Sequence, residues 1–213
     1  MVDTNEENGE TRMNIVKKAG LPCLWVLICV WLCSTPKQAE AYTLNISKQE
    51  YETMVSDSLV STGNNARLKN VLEKARAGKK VTIAYLGGSI TEGVGAGPNR
   101  KCYAEKSWKK FTDKYSLFHN AEFINAGMSG TPSSLGAIRY HRDVESKIKT
   151  GKGPDILFLE FAVNDREECT KGGAYEGLIR RTMKSGSAVV FIFSVFRDNF
   201  NMQDTYIPYG KYY

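Results

Sequence analysis

Residues Val81–Gly93 have the sequence VTIAYLGGSITEG, and this stretch decides the fold. Its first part, Val81–Leu86, is a near-continuous apolar run rich in residues that favour β-strands. A strand of this kind is buried on both faces, as in a parallel sheet covered by helices. Gly87 and Gly88 let the backbone turn tightly where the strand ends, so Ser89 is presented at the edge of the sheet.

The chain beyond this stretch alternates strand-like and helix-like segments. Further apolar runs of strand length are Ala121–Ile124, Asp155–Val163 and Ala188–Phe196, and segments of helix length are Tyr103–Tyr115, Ser133–Lys149 and Ala174–Lys184. This alternation predicts an α/β sandwich with a parallel sheet and right-handed crossovers. Ligands bind beyond the carboxyl ends of the strands in such sheets, so candidate functional residues are expected at that edge.

Two helices are predicted before the first strand, at Ser47–Leu59 and Asn65–Ala77. In the second, the apolar residues recur at helical spacing and fall on one face. These apolar positions are Leu68, Val71, Leu72 and Ala75. We therefore assign residues 42–79 as a helical N-terminal extension and residues 80–213 as the α/β domain.

Residues 1–41 resemble an export signal. Arg12–Lys18 is short and basic, Ala19–Cys33 is uncharged and mostly apolar, and Ala39 and Ala41 give the small-x-small pattern of a cleavage site. The apolar run has fifteen residues, whereas a membrane span needs about 20. A cleaved signal peptide is therefore preferred to a membrane anchor through Ala19–Cys33. Either alternative predicts a secreted or cell-surface protein.

The composition is that of a globular protein, with 42% hydrophobic and 24% charged residues and a net charge of +6. The positive charge forms no stripe interleaved with aromatic residues, so a nucleic acid is not expected as a partner. Cys102 and Cys169 have no CxxC spacing, so no metal site is expected. In an exported protein these two cysteines could form a disulfide, and two free thiols are the alternative.

Three short polar motifs each follow or close a strand. They are GGSITEG at Gly87–Gly93, NAGMSGTP at Asn125–Pro132 and FAVND at Phe161–Asp165. A glycine N–H and an asparagine side-chain amide are both good donors to a developing oxyanion. Taken singly, each motif is also explained by tight-turn chemistry, because Gly and Asn are common turn residues. A nucleotide site at the glycine-rich Gly93–Gly97 is disfavoured, since the sequence has no GxxxxGK[ST] and no GxGxxG opening a helix after the strand.

Together, and in this order, the motifs resemble blocks I, II and III of the SGNH/GDSL hydrolases. Gly87-Gly88-Ser89 stands where the family pattern usually begins Gly-Asp-Ser. The resemblance covers Lys80–Tyr213 and implies a flavodoxin-like three-layer α/β/α sandwich built on a five-stranded parallel sheet. It also implies a serine esterase that needs no metal or organic cofactor, with an acetylated polysaccharide as its substrate.

The resemblance assigns three site residues. Ser89 would be the nucleophile, and its own N–H would be a first oxyanion donor. Gly130, in preference to Gly127, would give a second N–H, and Asn164 would give a side-chain N–H. Loss of one such donor typically costs about 10² to 10³ in rate. Water would then release the acyl group from the serine.

A serine also needs a general base, which in this family is a histidine in a DxxH block near the domain's C-terminus. The chain has two histidines, His119 and His141, and neither lies in such a block. The domain at residues 80–213 is therefore predicted to be incomplete, with its last strand and helix missing, an exposed sheet edge and impaired hydrolysis. The alternative is a non-catalytic carbohydrate-binding or degenerate SGNH-like protein.

Two further expectations concern charged residues near the motifs. Arg139, Arg142 and Asp143 are predicted to be solvated helix charges. Asp165 is predicted to cap a turn rather than to support Asn164.

Overall fold

The computed structural model describes residues 45–97, 102–149 and 152–213. The predicted signal peptide or anchor at residues 1–41 lies outside the described residues. Residues Ile46–Tyr213 form one unit of the chain. No helix within the described ranges has both the length and the hydropathy of a membrane span.

The elements alternate as the sequence predicts. In chain order they are α1 (Lys48–Asp57), α2 (Ala66–Arg76), β1 (Val81–Gly87), α3 (Ser89–Glu92), α4 (Tyr103–Tyr115), β2 (Ala121–Gly127), α5 (Ser133–Asp143), a 3₁₀ turn (Glu145–Lys147), β3 (Ile156–Glu160), α6 (Gly173–Lys184), β4 (Ala188–Phe191) and α7 (Gln203–Tyr212). The prediction placed the four strands and five of the seven α-helices of the described residues, and it did not include the short α3 or α7.

The sheet formed by the described residues has four parallel strands in the order β2-β1-β3-β4. Every residue of β1 is buried, as expected for a central strand covered on both faces. The outer edge of β4 borders a cavity of about 740 Å³, which the loop between α1 and α2 and part of α7 also line. The predicted α/β fold with a parallel sheet is confirmed.

Two apolar clusters cover opposite faces of the sheet and make the three layers. Ala84 and Leu86 of β1 pack into a cluster with residues of α5, α6 and α7. Ile83 and Tyr85, which alternate with them, pack into a second cluster with residues of α2 and α4. Since successive side chains of a strand point to opposite faces, one uninterrupted apolar strand supplies both cores.

Candidate active site

The strands β1, β2 and β3 end side by side, and the short helix α3 packs against the ends of β1 and β2. Gly87 of β1 pairs with Gly127 of β2 on one side and with Glu160 of β3 on the other. A Cβ atom on Gly87 would lie 2.1 Å from Oγ1 of Thr91, and a Cβ atom on Gly127 would lie 2.1 Å from the backbone N of Glu92. The two glycines therefore leave the space that α3 occupies.

Ser89 is the first residue of α3 and is half-buried. The N–H of Gly88, just before it, donates to the carbonyl of Glu160 at 3.2 Å. At the other end of α3, Gly93 adopts a left-handed conformation with φ of 98°. The N–H of Gly93 donates to the carbonyl of Ser89 at 2.9 Å. Main-chain hydrogen bonds thus hold the turn that carries Ser89 on both sides.

Asn164 lies against this turn. A Cβ atom on Gly88 would be 2.1 Å from Oδ1 of Asn164 and 3.4 Å from its Nδ2, so the amide group fills the space that a side chain at position 88 would need. An aspartate at this position, as in the usual family pattern, would require Asn164 to move. Gly88 is therefore explained by the approach of Asn164 to the Ser89 turn, whereas Gly87 is explained by its contact with Thr91.

The loop that carries Gly130 is tied to the same short helix. The N–H of Ser129 donates to Oε2 of Glu92 at 2.7 Å, and the Ser129 hydroxyl donates to the same oxygen. Gly130 has a positive φ of 68°, and no atom lies within 4 Å of the position that a Cβ atom would take there. The N–H of Gly127, by contrast, is occupied by Oδ1 of Asn125 at 2.8 Å. This contrast supports the choice of Gly130 over Gly127 as the oxyanion donor of this loop.

The structure therefore brings all three predicted site residues to the carboxyl edge of the sheet. Asn164 contacts the residue before Ser89, and the Gly130 loop is bonded to the helix that Ser89 begins. Their catalytic roles stay predictions. No group of three or more His, Cys, Asp or Glu side chains within the described ranges could hold a metal ion.

Both histidines lie at the opposite edge of the sheet. His119 is exposed and comes two residues before β2. His141 is exposed in the last turn of α5, with Nδ1 3.0 Å from Oε2 of Glu145. It lines a groove with Lys152 and Lys184, which precede β3 and β4 respectively. Neither histidine is placed to act as the base for Ser89.

Glu160 is a buried acid beside the site that the sequence reasoning did not single out. It is 0% exposed, and its Oε2 accepts a hydrogen bond from the Thr91 hydroxyl at 3.1 Å. Oγ1 of Thr91 is also 2.9 Å from the Tyr103 hydroxyl. Burial raises the pKa of Glu160, against the opposing effect of hydrogen bonds from Ser194 and Thr91. The sequence signal was a charged residue inside the apolar run DILFLEFAV.

The raised pKa of Glu160 predicts a pH-dependent stability. A carboxyl whose pKa is higher in the folded state binds more protons there, so its contribution is most favourable below the unfolded pKa of about 4.5 and is lost as the pH rises through the folded value. We expect Glu160→Gln to raise the melting temperature relative to wild type at pH 8 but not at pH 4. For a chain of this size, about 1 kcal/mol corresponds to about 2–4 °C.

The control for this measurement is Glu73→Gln, which changes an exposed acid of α2. Its melting temperature should follow that of wild type at every pH. Burial also raises the pKa of Asp165, so some pH dependence should persist in the Glu160→Gln protein. Parallel curves for wild type and Glu160→Gln would contradict the prediction.

The expectation for Arg139 is wrong, because this residue is only 4% exposed. Its guanidinium donates to the carbonyl of Ala126 at 2.6 Å and to the carbonyl of Gly87 at 3.0 Å, and it pairs with Asp143 at 3.0 Å. A buried cation therefore lies under the ends of β1 and β2. Arg142, on the same helix, is exposed as predicted.

The preferred expectation for Asp165 is also wrong. Asp165 is 2% exposed, and its Oδ1 accepts a hydrogen bond from the N–H of Ser133 at 2.7 Å. Its Oδ2 accepts from the hydroxyl of Tyr206 at 2.5 Å. The carboxylate thus joins three separate elements instead of capping its own turn.

Cys102 and Cys169 are both free, so of the two alternatives that the sequence leaves open, two free thiols rather than a disulfide are present. Cys102 is buried next to Gly93, where a Cβ atom would lie 3.0 Å from the Cys102 Cβ. Cys169 is exposed, with its sulfur 3.6 Å from Oε1 of Glu168. The two thiols therefore have different surroundings.

The described residues form an α/β protein with a parallel sheet, and Ser89, Gly130 and Asn164 lie at the carboxyl edge of that sheet. The chain is similar to a two-domain esterase active on acetylated mannans that was co-crystallised with mannopentaose, at 34% identity over 74% of this chain and a TM-score of 0.65. A second structure of a two-domain esterase active on acetylated mannans is 35% identical over 71% of the chain, with a TM-score of 0.64. This chain spans 43% and 40% of the length of those two chains.

A weaker likeness is to AlinE4, an SGNH-hydrolase family esterase, at 20% identity over 53% of this chain and 58% of that one, with a TM-score of 0.43. No protein-family model matches the sequence, and no curated protein does. The resemblance that the three motifs indicate is confirmed at the level of the fold, because the chain shares its α/β architecture with a parallel sheet with these esterases.

Proposed function

We propose that this chain carries the nucleophile of a carbohydrate ester hydrolase that removes acetyl groups. The contact of Asn164 with Gly88, at the turn that presents Ser89, is the observation that carries the proposal. This contact supports the assignment of the Asn164 amide as a donor near the Ser89 turn, at the edge of the sheet where ligands bind. The similarity to esterases active on acetylated mannans supports an acetylated polysaccharide as the substrate class.

The proposed reaction has two steps. The hydroxyl oxygen of Ser89 attacks the acetyl carbonyl, and the sugar oxygen leaves with a proton as the acetyl group moves to the serine. Water then attacks the acetyl-serine, which releases acetate and restores the hydroxyl. In both steps the carbonyl oxygen becomes an oxyanion, which the N–H groups of Ser89 and Gly130 and the amide of Asn164 would stabilise.

The position of the two histidines bears on the rate of this reaction. A serine hydroxyl is a weak nucleophile without an adjacent base. Because His119 and His141 lie at the opposite edge of the sheet, neither supports deprotonation of Ser89. We therefore expect slow hydrolysis by this chain, which keeps a non-catalytic carbohydrate-binding protein as the second candidate.

An extracellular site of action is part of the proposal. It rests on the basic, apolar and small-residue pattern at residues 1–41, which is that of a signal peptide or, alternatively, a membrane anchor.

The Ser89→Ala variant tests the proposed function. We expect slow release of acetate from acetylated mannan by the wild-type protein and no release above the uncatalysed background by the variant, because the group that forms the acyl bond is lost. Acetate release is measured over time at fixed enzyme concentration. Ser146→Ala, which changes an exposed serine whose hydroxyl donates to the carbonyl of Arg142, should keep the wild-type rate.

Two other outcomes would decide against the esterase. Equal acetate release by wild type and Ser89→Ala would show that Ser89 is not the nucleophile. Binding of mannan by the folded wild-type protein without any acetate release would favour the non-catalytic carbohydrate-binding alternative.

A further inference from the structure

Asp165 directly follows Asn164 in a tight turn. The N–H groups of both residues donate to the carbonyl of Phe161, each at 3.0 Å. This shared acceptor fixes the backbone of the two residues as one unit, so a force on the Asp165 side chain is transmitted to Asn164. Asp165 is 2% exposed, and its carboxylate therefore has no bulk water to satisfy it.

The carboxylate of Asp165 reaches the loop that carries the other predicted donor. Its Oδ1 accepts from the N–H of Ser133, the first residue of α5, at 2.7 Å. Ser133 comes three residues after Gly130, and the intervening Thr131 hydroxyl donates to the carbonyl of Met128 at 2.8 Å, which closes that loop on itself. One buried hydrogen bond thus links the two loops.

We propose that Asp165 is a positioning residue that fixes Asn164 relative to Gly130, the two oxyanion donors that come from separate loops. The inference rests on the proposed function, which gives these two groups their role as oxyanion donors. The link between the two loops can nevertheless be observed without turnover of a substrate. An oxyanion hole acts through donors held at about 2.7–3.1 Å from the developing charge, so a small displacement of one loop weakens it.

The second bond of the carboxylate has a different consequence. Oδ2 accepts from the hydroxyl of Tyr206 in α7, and the Tyr206 ring stacks on Tyr175 of α6 with ring centroids 3.8 Å apart. This bond anchors the last helix to the site without touching the Gly130 loop. The two bonds can therefore be removed separately: Asp165→Ala removes both, and Tyr206→Phe removes only the bond to α7.

The experiment compares the backbone amide signal of Gly130 and the side-chain amide signals of Asn164, by nuclear magnetic resonance, in the folded wild-type protein and in variants. We expect Asp165→Ala to shift or broaden both sets of signals. Asp165→Asn keeps an oxygen acceptor for the Ser133 N–H and should leave both near their wild-type positions. Tyr206→Phe should lower the melting temperature and leave both sets of signals unchanged.

A second variant covers the case in which Asp165→Ala does not fold. Ser133→Pro removes the donor of the same bond at the first helical position, where proline is tolerated. It should displace the Gly130 and Asn164 signals as well. If these signals move no more in Asp165→Ala or Ser133→Pro than in Tyr206→Phe, Asp165 serves only to attach α7 and the proposal is overturned.

Kinetics then separate this proposal from the proposed function. If the wild-type protein releases acetate, kcat of Asp165→Ala should fall by about 10- to 100-fold with KM within about threefold, whereas Asp165→Asn should recover most of the rate. If the wild-type protein releases none, the esterase is rejected, while the amide signals still support or overturn the positioning role of Asp165.

Discussion

Replacing Gly127 by alanine is expected to destabilise the protein by about 3 kcal/mol or more and to displace Ser89. The added Cβ atom would lie 2.1 Å from the backbone N of Glu92 and 2.5 Å from its Cα, far inside any real contact distance. Overpacking in a core typically costs about 1–3 kcal/mol when side chains can give way. Here the obstructing atoms are backbone, so either β2 or α3 must move.

Urea unfolding of wild type and Gly127→Ala measures this cost. Gly177→Ala is the matched control, because Gly177 lies on the exposed side of α6 with no atom within 4 Å of the Cβ position. That substitution should stabilise the protein by about 0.5–1 kcal/mol, since alanine favours a helix interior over glycine. An unchanged unfolding midpoint for Gly127→Ala would show that the strand end and α3 are not packed as described.

The sheet was predictable because its strands are continuous apolar runs. Two clusters share β1: one contains Ile83 and Tyr85, and the other contains Ala84 and Leu86. Because both sets are apolar, the sequence of the strand alone indicates that it is covered on both faces. α7 was not predicted, because Pro208 and Gly210 both disfavour a helix interior. Packing overrides this preference through Tyr206, which is 1% exposed.

The position of the site was also predictable, since Ser89, Gly130 and Asn164 each follow a strand that ends at the carboxyl edge of the sheet. The burial of charged residues around the site, such as Arg139, was not predictable from the sequence. Sequence patterns place Arg139 on a helix beside other charged residues, and only the tertiary structure shows that its guanidinium meets two strand-end carbonyls. Partners 13 and 52 residues away in sequence leave no local signal.

The second large effect is expected at this buried arginine. Arg139→Met keeps the apolar stem of the side chain but removes the hydrogen bond that the guanidinium donates to the carbonyl of Ala126, and it removes one partner of Asp143. The carbonyl of Gly87 keeps a hydrogen bond from the N–H of Met128 at 3.0 Å. Breaking a buried charged pair typically costs about 3–5 kcal/mol, and we expect a loss in this range by urea unfolding.

Arg142→Met is the matched control on the same helix, because Arg142 binds the same carboxylate but its side chain is 69% exposed. The guanidinium of Arg142, followed by that of Arg139, holds the pKa of Asp143 at about 2. Solvent nevertheless screens the pair with Arg142, so its removal should leave the free energy of unfolding close to that of wild type. Equal losses for the two variants would show that the Asp143 pair, which both share, determines the stability. A much larger loss for Arg139→Met would show that its hydrogen bonds to the strand ends under the Ser89 turn are what matter.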